Sequence, residues 1–397
     1  MNQDRGEAEL SFSLVKGGPI YSLFRRAGII RAGELGIHRR ILLVWVLIAV
    51  PVIVLALAAG QLVPTDDIRN ALIRHFSVLA RMLVAIPIFI ATDVAVESFT
   101  VTIGQRLRAT GILSEAQIPR FRDAVRRAER LRDSRIAFAA VVALAAISVA
   151  SRLHPTWEWQ ELSWAVVERG GQPALSPAGY WYVIAGFGLY LLLGLQWIWR
   201  LFVLLILFWE IARLDLSLVP THPDRAGGLG FLQQEMVVFS PIGFAVSAVL
   251  SARWSHDILY RGFHVAMLQV SMITFLVIAV AMLVAPLVVF APALIRLRRT
   301  ALRDYSPFIS RQGRLVHKKW VLGEEVPAEE SGVLSAPELG PLVDISSLYQ
   351  GLQAIRPVPL NPRSLIALAV IIGLPILPVL TLEIPLREIL KGLTRSV

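Results

Sequence analysis

The chain has no cysteine. Disulfides, thiolate nucleophiles and cysteine-ligated metals are therefore excluded, although the redox compartment is left open. Charge is scarce: 17% of the residues are Asp, Glu, Lys or Arg, against roughly 25% in soluble domains. The histidines (His38, His75, His154, His222, His256, His264 and His317) are scattered without the spacing of metal ligands. There is no G-x-S-x-G elbow, and no glycine-rich turn is followed by Lys-Ser or Lys-Thr. No catalytic motif, metal or cofactor is expected from this sequence.

What is present is apolar. Hydrophobic residues make up 55% of the 397, and the mean hydropathy is +0.63. Runs of about 20 apolar residues match the roughly 30 Å hydrocarbon thickness of a bilayer. Such runs fall at 41–59, 78–97, 136–151, 178–218, 236–252, 265–295 and 364–382. The expected fold is all-α, a polytopic transmembrane bundle of about seven spans with a layer of helices and loops on one side. The first run starts too far along the chain, and runs too long, for a cleaved signal peptide. The stretch 178–218 would suffice for two spans. Its middle, Gln196-Trp197-Ile198-Trp199-Arg200, contains no turn residue, so one long helix is expected.

The segments divide accordingly. Residues 1–40 form a polar N-terminal segment with an interfacial helix over 21–37, turning Leu23, Phe24, Ile29 and Ile30 to lipid and Arg25, Arg26, Arg31, Arg39 and Arg40 to headgroups. Residues 41–299 hold spans one to six. They include an arginine-rich helix within 106–135, which carries nine arginines against four acids, and a loop at 220–232. Ser114 and Gln117 have capping-box spacing, and the helix they start can run on into span three. Residues 300–362 read as loop-rich, with one helix near 345–355. Residues 363–397 hold the last span and an amphipathic tail.

The net charge is +10. Its Lys and Arg concentrate in 1–40, 99–135 and 296–319, which a seven-span layout puts on one side, the cytoplasm by the positive-inside rule. The N-terminus is then cytoplasmic. The loop 153–176, with Trp157, Trp159, Trp164, Glu158, Glu161 and Glu168, lies outside. Anionic lipid accounts for the basic charge, and no nucleic-acid partner is expected.

Four features stand out as candidate sites. Asp93 and Glu97 are four residues apart in span two, on one helix face. Acids within a membrane mark a transport or proton site, or a buried partner, unless this end of the helix already lies among the headgroups, where acids are cheap. If the face is dry, like-charge repulsion favours one carboxyl keeping its proton. The second feature is the loop His222-Pro223-Asp224-Arg225-Ala226-Gly227-Gly228-Leu229-Gly230-Phe231. It is a helix-stopping turn whose N–H groups can also present themselves to an anion; His222, Asp224, Arg225, Gly227 and Gly228 are its candidate ligand residues. The third is Lys318, Lys319 and Trp320, a basic aromatic patch suited to lipid headgroups. The fourth is a series of span prolines, with Ser240-Pro241 and Gly373-Leu374-Pro375 the best kink candidates. Arg81 in span two is expected to snorkel outward, or to pair with Asp66 or Asp67.

The run from His222 to Phe231 resembles a loop found in a set of uncharacterised bacterial inner-membrane proteins. The resemblance extends to Arg356-Pro357-Val358-Pro359 before the last span. It implies a multi-pass protein of the bacterial inner membrane and carries no activity with it. Two functions remain open, beside an intramembrane enzyme, which has the least support. One is an oligomeric channel or transporter for a small ion or solute, supported by Asp93, Glu97, the kinked spans and Gln269, Ser271 and Thr274 in span six. The other is a membrane-anchored scaffold or sensor whose cytoplasmic layer binds a protein partner.

Overall fold

The computed structural model describes residues 10–26, 28, 35–62, 71–153, 162–323 and 340–383. Among them, seven helices are long and apolar enough to cross a bilayer, and the chain is a multi-pass membrane protein. The spans are one, Ile37–Ala58; two, Phe76–Ala109; three, Arg135–Leu153; four, Pro177–Ala212; five, Gly230–Arg261; six, Val265–Val288; and seven, Pro362–Thr381. Span four is one continuous helical run of about 54 Å at 1.5 Å per residue, so its end projects well past the hydrocarbon.

Span five is the most enclosed and packs against spans two, six and seven. The approach to span seven is close: a Cβ on Gly243 would lie 2.7 Å from Ile372. Small residues allow this contact, and packing rather than hydrophobicity drives it inside lipid. Span three is nearly all exposed, with Ile136, Leu144 and Ile147 facing outward, as lipid contact requires.

The prolines act where they stand. A π-helical stretch, Trp45–Ala49, precedes Pro51, and another, Ala80–Ala85, precedes Pro87. Short 3-10 turns lie at Val237–Phe239, just before Pro241, and at Leu374–Ile376, around Pro375. At these four positions the proline removes one helix N–H and crowds the preceding turn, which is relieved by a local change of helical pitch, whereas Pro286 and Pro307 sit inside continuous α-helix.

Several elements differ from expectation. Span six stops at Val288, and a separate helix, Ala291–Val316, carries the arginines that seemed to end it. Pro292 in its first turn supplies the break. The basic segment is the last turn of span two, a turn with the Ser114/Gln117 capping box, and the helix Ile118–Arg132. That helix ends at Asp133 and does not run unbroken into span three. The described N-terminal helix is Gly18–Arg26, followed by a turn at Gly28; Ile29, Ile30 and Arg31 lie outside the described residues. The expected helix near 345–355 is Gly340–Gln353.

A basic face thus collects the Gly18–Arg26 and Ile118–Arg132 helices, the 213–229 turn, and the Ala291–Val316 and Gly340–Gln353 helices. The opposite face carries a two-stranded antiparallel hairpin, β1 (Val166–Arg169) and β2 (Gln172–Leu175), over the start of span four. Asp66, Asp67, Trp157, Trp159, Glu158, Glu161 and most of the tail lie outside the described residues.

Candidate functional site

Span two brings Asp93 and Glu97 to one buried face; Asp93 is 1% exposed. Asp93 lies between two guanidiniums. Arg40 of span one donates to Oδ2 at 2.6 Å, and Arg200 of span four donates to Oδ1 at 2.7 Å. Arg200 also lies over the Trp197 ring at 4.6 Å, and the Trp197 indole N–H donates to the Phe89 carbonyl at 3.1 Å. Arg40 Nε finds no acceptor among the described residues. One carboxylate therefore ties three spans together. Breaking such a buried pair by removing one partner typically costs about 3–5 kcal/mol.

Glu97 is held from elsewhere. Ser13 Oγ donates to Oε2 at 2.7 Å, and Lys16 Nζ stands 3.7 Å from Oε1. The two acids do not face each other alone, since each has cations or donors of its own. The partners of Glu97 sit on a strap, residues 10–16, that runs along the basic end of span two. Leu10, Phe12, Leu14 and Val15 are each 1% exposed. Gly104 permits this approach, because a Cβ there would collide with the Leu10 carbonyl oxygen. The strap is fixed further by Arg132 donating to the Ser13 carbonyl and by Gly18 N–H donating to Asp133 at 2.7 Å. Its signal was legible in Leu10-Ser11-Phe12-Ser13-Leu14, a period-two alternation of a half-buried extended segment. A lone Arg200 within a long apolar run was likewise a sign of a buried partner.

Other polar residues of the spans occupy different places. Arg81 does not snorkel. It is buried, donates to the Tyr182 hydroxyl at 2.8 Å, and lies over the Phe187 and Tyr190 rings. Gln269, Ser271 and Thr274 are exposed on the outward side of span six, beside Met267, Val270 and Ile273, and so do not face the interior of the single-chain bundle. Near the hairpin, buried His75 approaches Ser163 Oγ at 3.3 Å, and its ring lies 4.9 Å from that of His256. Among the described residues no three His, Asp or Glu side chains converge as a metal site would require.

The 220–228 turn has a tight internal logic. Asp224 Oδ1 accepts from Ala226 N–H at 2.8 Å and Gly228 N–H at 3.2 Å, and Oδ2 accepts from Gly230 N–H at 2.7 Å. His222 Nδ1 stands 2.8 Å from Oδ1. Burial pushes the Asp224 pKa upward, but the N–H donors of Ala226, Gly230 and Gly228, with His222, outweigh it and hold the carboxyl below its ordinary value. The chain's own carboxylate therefore occupies these N–H groups. Gly228, at φ +98°, needs glycine twice over, for the left-handed backbone and because a Cβ would stand 2.9 Å from Ile112.

Arg225 is the single non-glycine residue with positive φ among the described residues, at +54°. Its carbonyl accepts the Arg356 N–H at 2.9 Å, which joins the turn to the segment before span seven. Beside them opens a cavity of about 400 Å³, lined by Thr221, His222, Pro223 and Arg225 of the turn and by Ser347, Leu348 and Gly351 of the Gly340–Gln353 helix. The Arg225 side chain is exposed and has no ion pair among the described residues. Lys318, Lys319 and Trp320 lie on the π-helical turn His317–Val321, with Lys319 Nζ 5.9 Å from the Trp320 ring centre.

Comparison of the chain with protein-family models, with curated proteins and with solved structures finds no match in any of the three.

Proposed function

We propose that this is a membrane-anchored scaffold or sensor of the bacterial inner membrane, working through its basic face. The basic face is cytoplasmic by the positive-inside rule, which puts the N-terminus in the cytoplasm. The partner is an acidic segment of a cytoplasmic protein, taken up at the cavity between the 220–228 turn and the Gly340–Gln353 helix. The observation that carries this reading is Arg225. A bulky residue in the left-handed region costs about 1–2 kcal/mol, and such strain gathers at sites of function. Here it coincides with an exposed guanidinium on the wall of this cavity, suited to a carboxylate. The patch Lys318, Lys319 and Trp320 serves anionic headgroups on the same face.

A photo-crosslinker at Thr221 in living cells tests this. The expected result is one discrete adduct that Arg225→Ala abolishes, with no adduct from a crosslinker at Ile366 on the lipid-facing side of span seven. A smear unaffected by Arg225→Ala would sink the reading.

The second reading, a channel or transporter built as a homo-oligomer, rests on the Arg40–Asp93–Arg200 cluster inside the bundle. Reconstituted protein in liposomes would then pass ions or a small solute, and Asp93→Glu, which keeps the counter-charge for Arg40 and Arg200, would change that flux in folded protein. That result would replace the scaffold reading.

A further inference from the structure

A second cavity, of about 540 Å³, opens where the strap meets the start of span one. Its lining is Lys16, Leu35, Gly36, Ile37, His38, Arg39 and Val94. Two features give it a chemical character. Its basic groups are poorly satisfied. Arg39 is exposed and makes no hydrogen bond or ion pair among the described residues. Lys16 has one described counter-ion, Glu97, at 3.7 Å, beyond hydrogen-bonding range, and Glu97 is already taken by Ser13 at 2.7 Å. Among the described residues, Lys16, Arg39 and His38 thus face a single engaged carboxylate. The other carboxylate nearby, Asp93, is consumed by Arg40 and Arg200. The remaining walls are apolar. Val94 is 49% exposed on the outer flank of span two, and Leu35 and Ile37 complete that side.

A cavity with surplus cations at one end and an apolar flank open to the bilayer matches a molecule that is anionic at one end and aliphatic at the other. We propose that it seats the phosphate of an anionic phospholipid. Lys16 and Arg39 anchor the phosphate oxygens by charge-assisted hydrogen bonds, His38 supplies a further donor, and the first methylenes of the lipid lie along Val94. The site is separate from the cavity at Arg225 and does not depend on the reading given for it. It adds a geometric reason for lipid selectivity to the general attraction of basic segments for anionic leaflets.

The test uses full-length protein, delipidated in a neutral detergent and examined by native mass spectrometry. The probes are dioleoyl-phosphatidylglycerol, dioleoyl-phosphatidylcholine and inorganic phosphate. Wild type should retain phosphatidylglycerol and shed phosphatidylcholine. Lys16→Gln/Arg39→Gln should weaken that retention by about tenfold, as loss of charge-assisted contacts implies. Arg126→Gln, on the exposed surface of the Ile118–Arg132 helix and away from this cavity, should leave it unchanged. Because the strap variant can disturb folding, Val94→Trp provides an independent arm. It keeps both cations but fills the apolar flank, and should also lower retention. Equal retention by wild type and both site variants would overturn the proposal. So would equal retention of the two lipids. Displacement of phosphatidylglycerol by equimolar inorganic phosphate would assign the site to free phosphate and overturn the lipid source.

Discussion

Asp93 in span two and Asp224 in the 220–228 turn are both carboxylates withdrawn from water, yet they are satisfied by different means. Asp93 depends on guanidiniums 53 residues before it and 107 residues after it. Asp224 depends on backbone N–H groups two, four and six residues away. The first can form only when spans one, two and four are assembled; the second can form as soon as its turn closes. A buried charge inside a bilayer needs a full counter-charge. A carboxylate at a half-buried turn is satisfied by aligned N–H dipoles. One residue type thus serves as a tertiary tie in one place and as local backbone architecture in the other.

The comparison can be broken at either end. Asp93→Ala strands two guanidiniums in the bundle and should lower stability by about 3–5 kcal/mol, seen as a large fall in the thermal unfolding midpoint in detergent. Adding Arg40→Met and Arg200→Met to it should recover much of the loss; no recovery would show that the two arginines are not the stranded charges. Asp224→Ala should cost about 2 kcal/mol, since three N–H groups lose their acceptor in a site that water can partly reach. Its effect should appear as faster hydrogen exchange confined to 222–231, with the spans unchanged. A similar loss, about 1–3 kcal/mol for overpacking, is expected for Gly104→Ala. It should be read as new protease sensitivity in the 10–16 strap.

Acid sharpens the same contrast more gently. The folded Asp224 carboxyl titrates below the ordinary value, near 3.9 when unfolded. Its contribution is therefore complete above about pH 4 and is lost as pH falls through the lowered folded value. Hydrogen exchange of 222–231 should accelerate beyond the intrinsic trend as pH falls below about 4, and Asp224→Asn should remove that excess. The smallest effect is expected from Asp123→Asn. Its ion pair with Arg126 is largely exposed, and such pairs contribute about 0.5 kcal/mol or less, within the error of a thermal melt.

The long-range half of this comparison was the less legible one. The 3.6-residue geometry of a helix puts Asp93 and Glu97 on one face from their spacing alone. It says nothing of what that face meets, so the expected acid pair became two separate sites. The Asp224 turn was legible as a turn from Pro223, Gly227 and Gly228, because those residues restrict or free their own backbone. That its carboxylate fills its own ring of donors was not, since the same residues can present those donors outward. Arg81 misled for the same reason: snorkelling is a property of the side chain, whereas its burial depends on Tyr182, Phe187 and Tyr190, a hundred residues away.

The sequence by itself determined the class of the molecule, the number of its spans and the single long helix of span four. Hydrocarbon thickness sets how many consecutive apolar residues are needed, and any break in the helix needs residues that can make one. It also marked the pitch changes beside Pro51, Pro87, Pro241 and Pro375, though not those at Tyr182–Phe187 and His317–Val321, where no proline stands. Only the tertiary structure decided that Arg40 and Arg200 meet on Asp93, that residues 10–16 close over Glu97, and that two cationic cavities open on one face. Those contacts join residues far apart in the chain, and helical periodicity specifies the direction a side chain takes from its own axis but not the neighbour it finds there.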